Sequence, residues 1–262
     1  MLPASLYAKA SVRELLTEAA HARLGLDRRW LKAILDRGAA AAPELIAFAE
    51  EPPETSRIDL TDDVIAMLRH LKAPGALEFF LDVIRANPED AGDDVYFALQ
   101  DFGADAIDPL VKLYGELEED VSGDLAFTLA SLRPRDPRIL KILVDRLEYD
   151  MEDGALCLGL YGDPAAKADL EKYLAEDPEN SFLKEALAEL GTNDKLEREA
   201  FDIWASYPEI DTPDVSVLSE ADRLDLLADG ELAADRIEAA HSFMGDAHTG
   251  KVYQALLKSA AG

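Results

Sequence analysis

The chain has 262 residues, of which 48% are hydrophobic, so it is long enough to bury a large core. Its 54 acidic and 26 basic residues give a net charge of −28. A field of that sign repels nucleic acid and anionic membrane surfaces, so both are excluded as expected partners, and it favours cationic ones.

Residues 1–60 are predicted to form an N-terminal cap and a first, weaker helical repeat. The weaker repeat lies in residues 31–51, where a turn, Pro43 and an apolar helix follow one another. Terminal repeats of a stack are atypical because one of their faces must be polar. Trp30 in this segment, like Trp204 near the other end, is either a plug at the end of a core or an exposed anchor for a partner.

Residues 61–208 are predicted to contain five clear repeats of about 29–31 residues, beginning at Asp62, Asp93, Ser122, Glu152 and Ser181. A fixed period in this range is typical of proteins in which each unit buries its apolar face only against its neighbours.

Each repeat is predicted to be two helices joined by a tight turn. In the repeat at Asp93, Val95, Leu99 and Phe102 form the stripe of an amphipathic helix, and Gly103 ends it. Asp105 is then a candidate cap for the second helix. The central apolar position of the first helix recurs as Leu68, Leu99, Leu129, Leu158 and Leu187. Two departures from the pattern are Gly154, where an apolar residue is expected, and the polar stretch 195–199.

Acidic residues recur at the start of the first helices, as Asp63, Asp94, Asp124 and Asp153. One interpretation is helix capping together with a favourable interaction with the helix dipole. The other is an acidic ladder along one edge, on which a basic partner docks.

Residues 209–262 follow a loop rich in helix breakers and are predicted to form C-terminal helices, a degenerate repeat and a cap. The whole chain, 1–262, is therefore predicted to be a single all-α domain. No strand pattern occurs in the sequence.

Residues 97–117, FALQDFGADAIDPLVKLYGEL, resemble the short bacterial form of the HEAT repeat, and residues 158–174 are similar to it. The resemblance implies a right-handed α-solenoid of about six to seven stacked antiparallel helix pairs. It also implies that the second helices line a concave binding face. The candidate contact residues implied on that face are Asp82, Asp108, Lys112, Arg138, Lys141 and Lys167. The alternative for these charges is local salt bridging with acidic neighbours.

Motifs for catalysis are absent from the sequence: it contains no GxSxG, no phosphate-binding loop and no GxGxxG. Zinc-type His and Cys spacings and calcium loops are also missing, so no metal and no cofactor are expected. The lone cysteine, Cys157, lies among apolar residues and is predicted to be a core residue. It suits a reducing compartment. With no targeting signal and no long apolar run, a cytoplasmic location is expected.

The predicted function is therefore a non-catalytic interaction or scaffold protein that binds a protein partner. One alternative is an acidic charge mimic or regulator that binds a basic partner. Another is an enzyme similar to the HEAT-like bilin lyases or DNA glycosylases, which the strong acidity and the missing motifs disfavour. The sequence leaves the identity of the partner and the oligomeric state open.

Overall fold

The computed structural model describes residues 9–21, 26, 28–53, 56, 58–89, 91–132, 134–192, 200–207, 218–229, 236 and 239–240. Within these ranges the chain forms thirteen α-helices joined by turns and short 3-10 segments, and no strand. The prediction of an all-α protein is therefore confirmed for the described residues.

The helices follow the repeat pattern closely. Their bounds are α1 Val12–His21, α2 Arg28–Leu35, α3 Ala42–Glu50, α4 Thr61–Leu71, α5 Ala76–Ala86, α6 Asp93–Asp101, α7 Ile107–Tyr114, α8 Gly123–Ala130, α9 Pro137–Tyr149, α10 Met151–Tyr161, α11 Lys167–Glu176, α12 Ser181–Glu189 and α13 Glu220–Asp229. The first four predicted repeats thus each contain two helices, as α4–α5, α6–α7, α8–α9 and α10–α11.

The chain divides into two compact units. One combines both ends of the sequence, Met1–Ala73 with Asp202–Gly262, and the other is Pro74–Phe201. The prediction of one domain over 1–262 is not tested by this division and stays a prediction.

The unit built from both ends packs α1 against α2 and α3, and α3 against α4. Its core is apolar, with Leu15, Leu31 and Leu45 completely buried. Trp30 is 1% exposed, so it is a core residue and the interpretation of it as an exposed anchor is wrong.

The segment Asp202–Tyr207 returns to this same unit. Ile203–Ala205 is a 3-10 turn that packs against α4, and the Ile203 side chain is completely buried. The Tyr207 hydroxyl donates a hydrogen bond to the Asp63 carboxylate, and Arg28 donates one to the Tyr207 carbonyl. The fifth repeat is predicted to have a second helix that begins at residues 195–199, whereas Ile203–Ala205, which follows in the same repeat, is a 3-10 turn. Residues 195–199 of the same predicted helix lie outside the described residues.

The unit Pro74–Phe201 consists of the first and the second helices of the predicted repeats, from α5 to α12. The first helices of successive repeats pack in sequence, α6 against α8, α8 against α10 and α10 against α12. Each of them also contacts the helix that precedes it in the chain, in the pairs α5·α6, α7·α8, α9·α10 and α11·α12. This largely sequential packing buries the central leucines Leu99, Leu129 and Leu158 completely.

Glycines with positive φ mark the turns inside the repeats. Gly75, Gly103, Gly162 and Gly191 have φ angles of 91°, 58°, 66° and 77°, a region that side chains other than glycine avoid. The predicted turn chemistry is therefore confirmed at these positions. The cap predicted at Asp105 is wrong, because α7 begins after Ala106 and has no side-chain cap.

The acidic column does not cap the helices either. The N-cap residues of α4, α6, α8 and α10 are Leu60, Gly92, Ser122 and Asp150. Asp63, Asp94, Asp124 and Asp153 lie two or three residues after the N-cap, within the first turn of each helix. There they still interact favourably with the positive end of the helix dipole.

Gly154, the departure from the repeat pattern, lies where α10 closely approaches the backbone of α9. A Cβ at this position would lie 2.7 Å from the Leu147 nitrogen and 2.9 Å from its Cα. Both are backbone atoms of α9, so no rotation of a side chain could relieve the contact. Glycine is required here by helix packing, not by backbone conformation.

The C-terminal prediction is partly described. Helix α13 confirms the first of the helices expected there, and Leu227, Ala228 and Ala239 form a small buried cluster. Residues 208–217 and 241–262 lie outside the described residues, and the last predicted helix with them.

Candidate functional site

The six residues predicted from the HEAT resemblance all lie on second helices of the unit Pro74–Phe201, and all are exposed. Asp82 is on α5, Asp108 and Lys112 are on α7, Arg138 and Lys141 are on α9, and Lys167 is on α11.

Every cation in this set has a carboxylate partner. Lys167 lies 3.6 Å from Glu171 and Lys141 pairs with Asp145, each four residues along the same helix, and Lys112 lies 3.6 Å from Glu116, just past the end of α7. Asp82 in turn pairs with Arg85. Local ion pairing, the alternative given above for these charges, is thus observed. Exposed pairs of this kind contribute little to stability.

One pair joins two repeats. The Arg138 guanidinium contacts Asp108 of α7 at 2.6 Å and Asp136 at 2.7 Å. Hydrogen bonds to Asp136 and Asp108 raise the pKa of Arg138, and the same contact with Arg138 lowers the pKa of Asp136. The structure therefore brings Asp108 and Arg138 together. The role of the six residues in binding stays a prediction.

A second surface of this unit was not predicted from the sequence. Phe97, Phe127 and Leu156 are large apolar residues that are 42%, 40% and 51% exposed. They lie on α6, α8 and α10, three first helices that pack in succession. Each lies two residues before a completely buried central leucine, so each projects from the side of its helix opposite the core. We call these three residues the apolar row.

Acidic residues accompany the apolar row on each of the three helices. Asp94 and Asp124 precede Phe97 and Phe127 by three residues, and Glu152 precedes Leu156 by four. These spacings place each acid beside its apolar neighbour on one helix face. All three acids are exposed, and none forms an ion pair with another described residue. We call them the acidic flank.

The sequence contains a pattern that indicates the apolar row, although a search for buried helical stripes does not use it. Residues two apart on a helix point about 200° apart, so a helix cannot bury both on one stripe. Phe97 with Leu99, Phe127 with Leu129, and Leu156 with Leu158 repeat this incompatible pair in three consecutive repeats. In each pair the leucine is buried, and the residue two positions before it is exposed.

Beneath this surface, Arg146 forms a buried polar cluster between α8, α9 and α10. Its side chain is 6% exposed, bonds to Asp153 and donates to the Ser122 hydroxyl at 3.1 Å. Cys157 is also completely buried, which confirms the prediction of a core residue, and burial raises the pKa of its thiol to about 12. The Arg146 side chain and the Cys157 thiol are buried between helices, and the Asp153 side chain is 29% exposed.

Trp204, the second tryptophan considered as an anchor, is half-buried in the unit built from both ends of the chain. The Arg28 guanidinium lies over its ring, 4.8 Å from the centroid. Among the histidines, His21 bonds to the Thr17 carbonyl at 2.7 Å and His70 is exposed, while His241 and His248 lie outside the described residues.

In the described ranges no three His, Cys, Asp or Glu side chains are grouped so that they could hold a metal ion. No helix within these ranges has both the length and the hydropathy to cross a bilayer.

The comparisons with known proteins identify no relative: no protein-family model, no curated protein and no solved structure matches the chain.

Proposed function

We propose that this protein is a non-catalytic, HEAT-like scaffold that binds a protein partner, and that the apolar row is its contact surface. The proposed architecture is a right-handed stack of helix pairs over the clear repeats. The recurring sequence columns and the sequential packing of α6, α8, α10 and α12 support it.

The observation that carries the proposed function is the exposure of three large apolar side chains in register. Single exposed apolar residues are ordinary on protein surfaces, whereas aligned ones are typical of interaction sites. Aromatic residues are also enriched at protein interfaces. Of the five large apolar residues that are most exposed in the described ranges, Phe97, Phe127 and Leu156 make up this row.

The binding face implied by the HEAT resemblance is a competing surface on the same unit. Its cations are paired with carboxylates of their own or a neighbouring repeat. A partner that docks there must compete with these pairs, whereas the apolar row gains free energy by leaving water. The apolar row is therefore the better-supported surface.

Photo-crosslinking in cells that naturally produce the protein tests the choice between the two faces. A benzoyl-phenylalanine at position 127 reports on the apolar row, and the same residue at position 141 reports on the second helices. We expect a discrete protein adduct from position 127 only. An adduct from position 141 alone would assign the contact to the second helices, and no adduct from either position would refute the proposed function.

A second candidate function, an acidic regulator that captures a basic protein, is favoured by the unpaired acidic flank. Exposed charges of one sign accelerate association with an oppositely charged partner, and salt weakens this effect. If crosslinking from position 127, repeated in a lysate of these cells, disappears at high salt, charge contributes strongly to binding. If it persists, apolar contact dominates.

A further inference from the structure

We infer that the apolar row and the acidic flank together bind a cationic amphipathic helix of a partner protein, laid across α6, α8 and α10. The inference rests on the proposed function and adds the chemistry and the conformation of the bound segment.

The spacing between members of the apolar row matches a partner segment that is helical. Packed helices lie about 8–10 Å apart, so successive members of the row are separated by about that distance. Two residues seven positions apart on a helix are about 10.5 Å apart and point to nearly the same side. A spacing of four residues gives about 6 Å and falls short.

An extended segment does not match this spacing. Residues three apart along a strand are about 10 Å apart, but their side chains point to opposite faces. Residues two or four apart share a face but lie about 6.6 or 13 Å apart. The partner segment therefore presents three apolar residues at seven-residue intervals on a helix.

The acidic flank indicates that the bound segment of the partner is positively charged. Asp94, Asp124 and Glu152 lie one helical turn from the apolar row, each unpaired among the described residues. Lys or Arg residues beside the apolar positions of the partner helix would reach these carboxylates. A second copy of this chain is a poor occupant, because it would bring two acidic flanks together in a protein of net charge −28.

The end of the row limits the length of the segment. The corresponding position of the next helix, α12, is Glu185, which is exposed and charged. The complementary segment thus spans three contacts, or about fifteen residues at 1.5 Å per residue.

The probe is a synthetic, fluorescently labelled Lys-rich peptide with leucines at three positions seven residues apart. A first control peptide has the same composition with the leucines five residues apart, and a second replaces Lys by Glu. Binding to the full chain is measured by fluorescence anisotropy. We expect the first peptide to bind at least tenfold more tightly than either control.

Variants of the protein test which surface binds. The triple variant Phe97→Ser, Phe127→Ser, Leu156→Ser keeps the net charge and should weaken binding at least tenfold. Tyr149→Ser is the matched control, since Tyr149 is 49% exposed but lies at the end of α9, a second helix that carries no member of the row. It should leave binding unchanged. The double variant Asp94→Asn, Asp124→Asn should weaken binding roughly threefold to tenfold and reduce its salt dependence.

Four outcomes would overturn the inference: no binding, equal binding of both leucine spacings, equal binding to the triple variant, or equal binding of the Glu peptide. Dimerisation of the unmodified protein that the triple variant abolishes would also overturn it, since the occupant would then be a second copy. If the peptides fail but position 127 still crosslinks to a protein, the row binds a partner of another kind and the proposed function stands.

Discussion

Replacing Gly154 by alanine is expected to destabilise the protein, although alanine is the better helix former. The new Cβ would lie 2.7 Å from the Leu147 nitrogen and 3.0 Å from the Arg146 carbonyl carbon, against an ordinary contact of at least 3.4 Å. Helices α9 and α10 must therefore separate by about 0.7 Å. A gap of this size removes a quarter to a half of the dispersion attraction between the atoms concerned.

The magnitude follows from two opposing effects. Overpacking of this kind costs about 2–3 kcal/mol, and exchanging glycine for alanine inside a helix contributes about 1 kcal/mol of stability. The expected net loss is about 1–2 kcal/mol, measured by urea unfolding followed by far-ultraviolet circular dichroism.

Gly115→Ala is the matched control for this experiment. It lies at the end of α7 with φ −74°, and its Cβ would meet nothing closer than 3.5 Å. This variant should be as stable as the unmodified protein, or more so by up to about 1 kcal/mol. The packing argument is refuted if Gly154→Ala is also as stable as the unmodified protein.

Three further predictions concern buried ionisable groups. Burial, with smaller effects from Asp62 and Asp59, raises the pKa of Asp63 to about 6. The folded state thus binds a proton more tightly than the unfolded one, and stability falls as pH rises from about 4 to 6. After allowance for partial exposure, Asp63→Asn should remove about 1–2 kcal/mol of this pH-dependent loss of stability. The free energy of unfolding is measured at each pH by tryptophan fluorescence during urea unfolding. A pH profile unchanged by the substitution would contradict the raised pKa of Asp63. Arg146→Met should cost about 3 kcal/mol because it leaves the Asp153 carboxylate without its cation, whereas Lys141→Met, at an exposed pair, should cause no measurable change. The buried Cys157 thiol, whose pKa is raised to about 12, should react with a disulfide reagent only after unfolding, and rapid reaction of the native protein would show that the core around α10 opens.

The sequence was sufficient to predict the helices because their information is local. Apolar residues at helical spacing identify the buried stripe, and a glycine after the last apolar residue identifies the turn, as at Gly103 and Gly162. The return of Ile203–Tyr207 to α4 was not predictable in this way. It depends on contacts such as Tyr207 with Asp63, residues that are far apart in the sequence and belong to different predicted repeats.

The apolar row was not predicted from the sequence, for a physical reason. A resemblance directs attention to the helix face on which a family binds, and here the charges of that face are paired with one another. Arg146 is not among the predicted site residues, and its spacing from Ile139 and Leu143 places it on the buried stripe of α9. Only the structure shows that it bonds to Asp153 and Ser122 beneath the surface.

The distribution of acids among the first helices of the unit Pro74–Phe201 supports the proposed binding role of the acidic flank. An acid in the first turn stabilises any helix, so the dipole alone would favour one in α12 as well. Helix α12 has no acid in its first turn, and its row position is Glu185 instead of an apolar residue. Helices α6, α8 and α10 have both the acid and the exposed apolar residue. Within the unit Pro74–Phe201 the two features occur together and end together, which supports assigning the acidic flank to the same surface as the apolar row. In α4, which belongs to the other unit, Asp62 and Asp63 occur without an exposed large apolar residue, so the helix dipole is a sufficient explanation for them there.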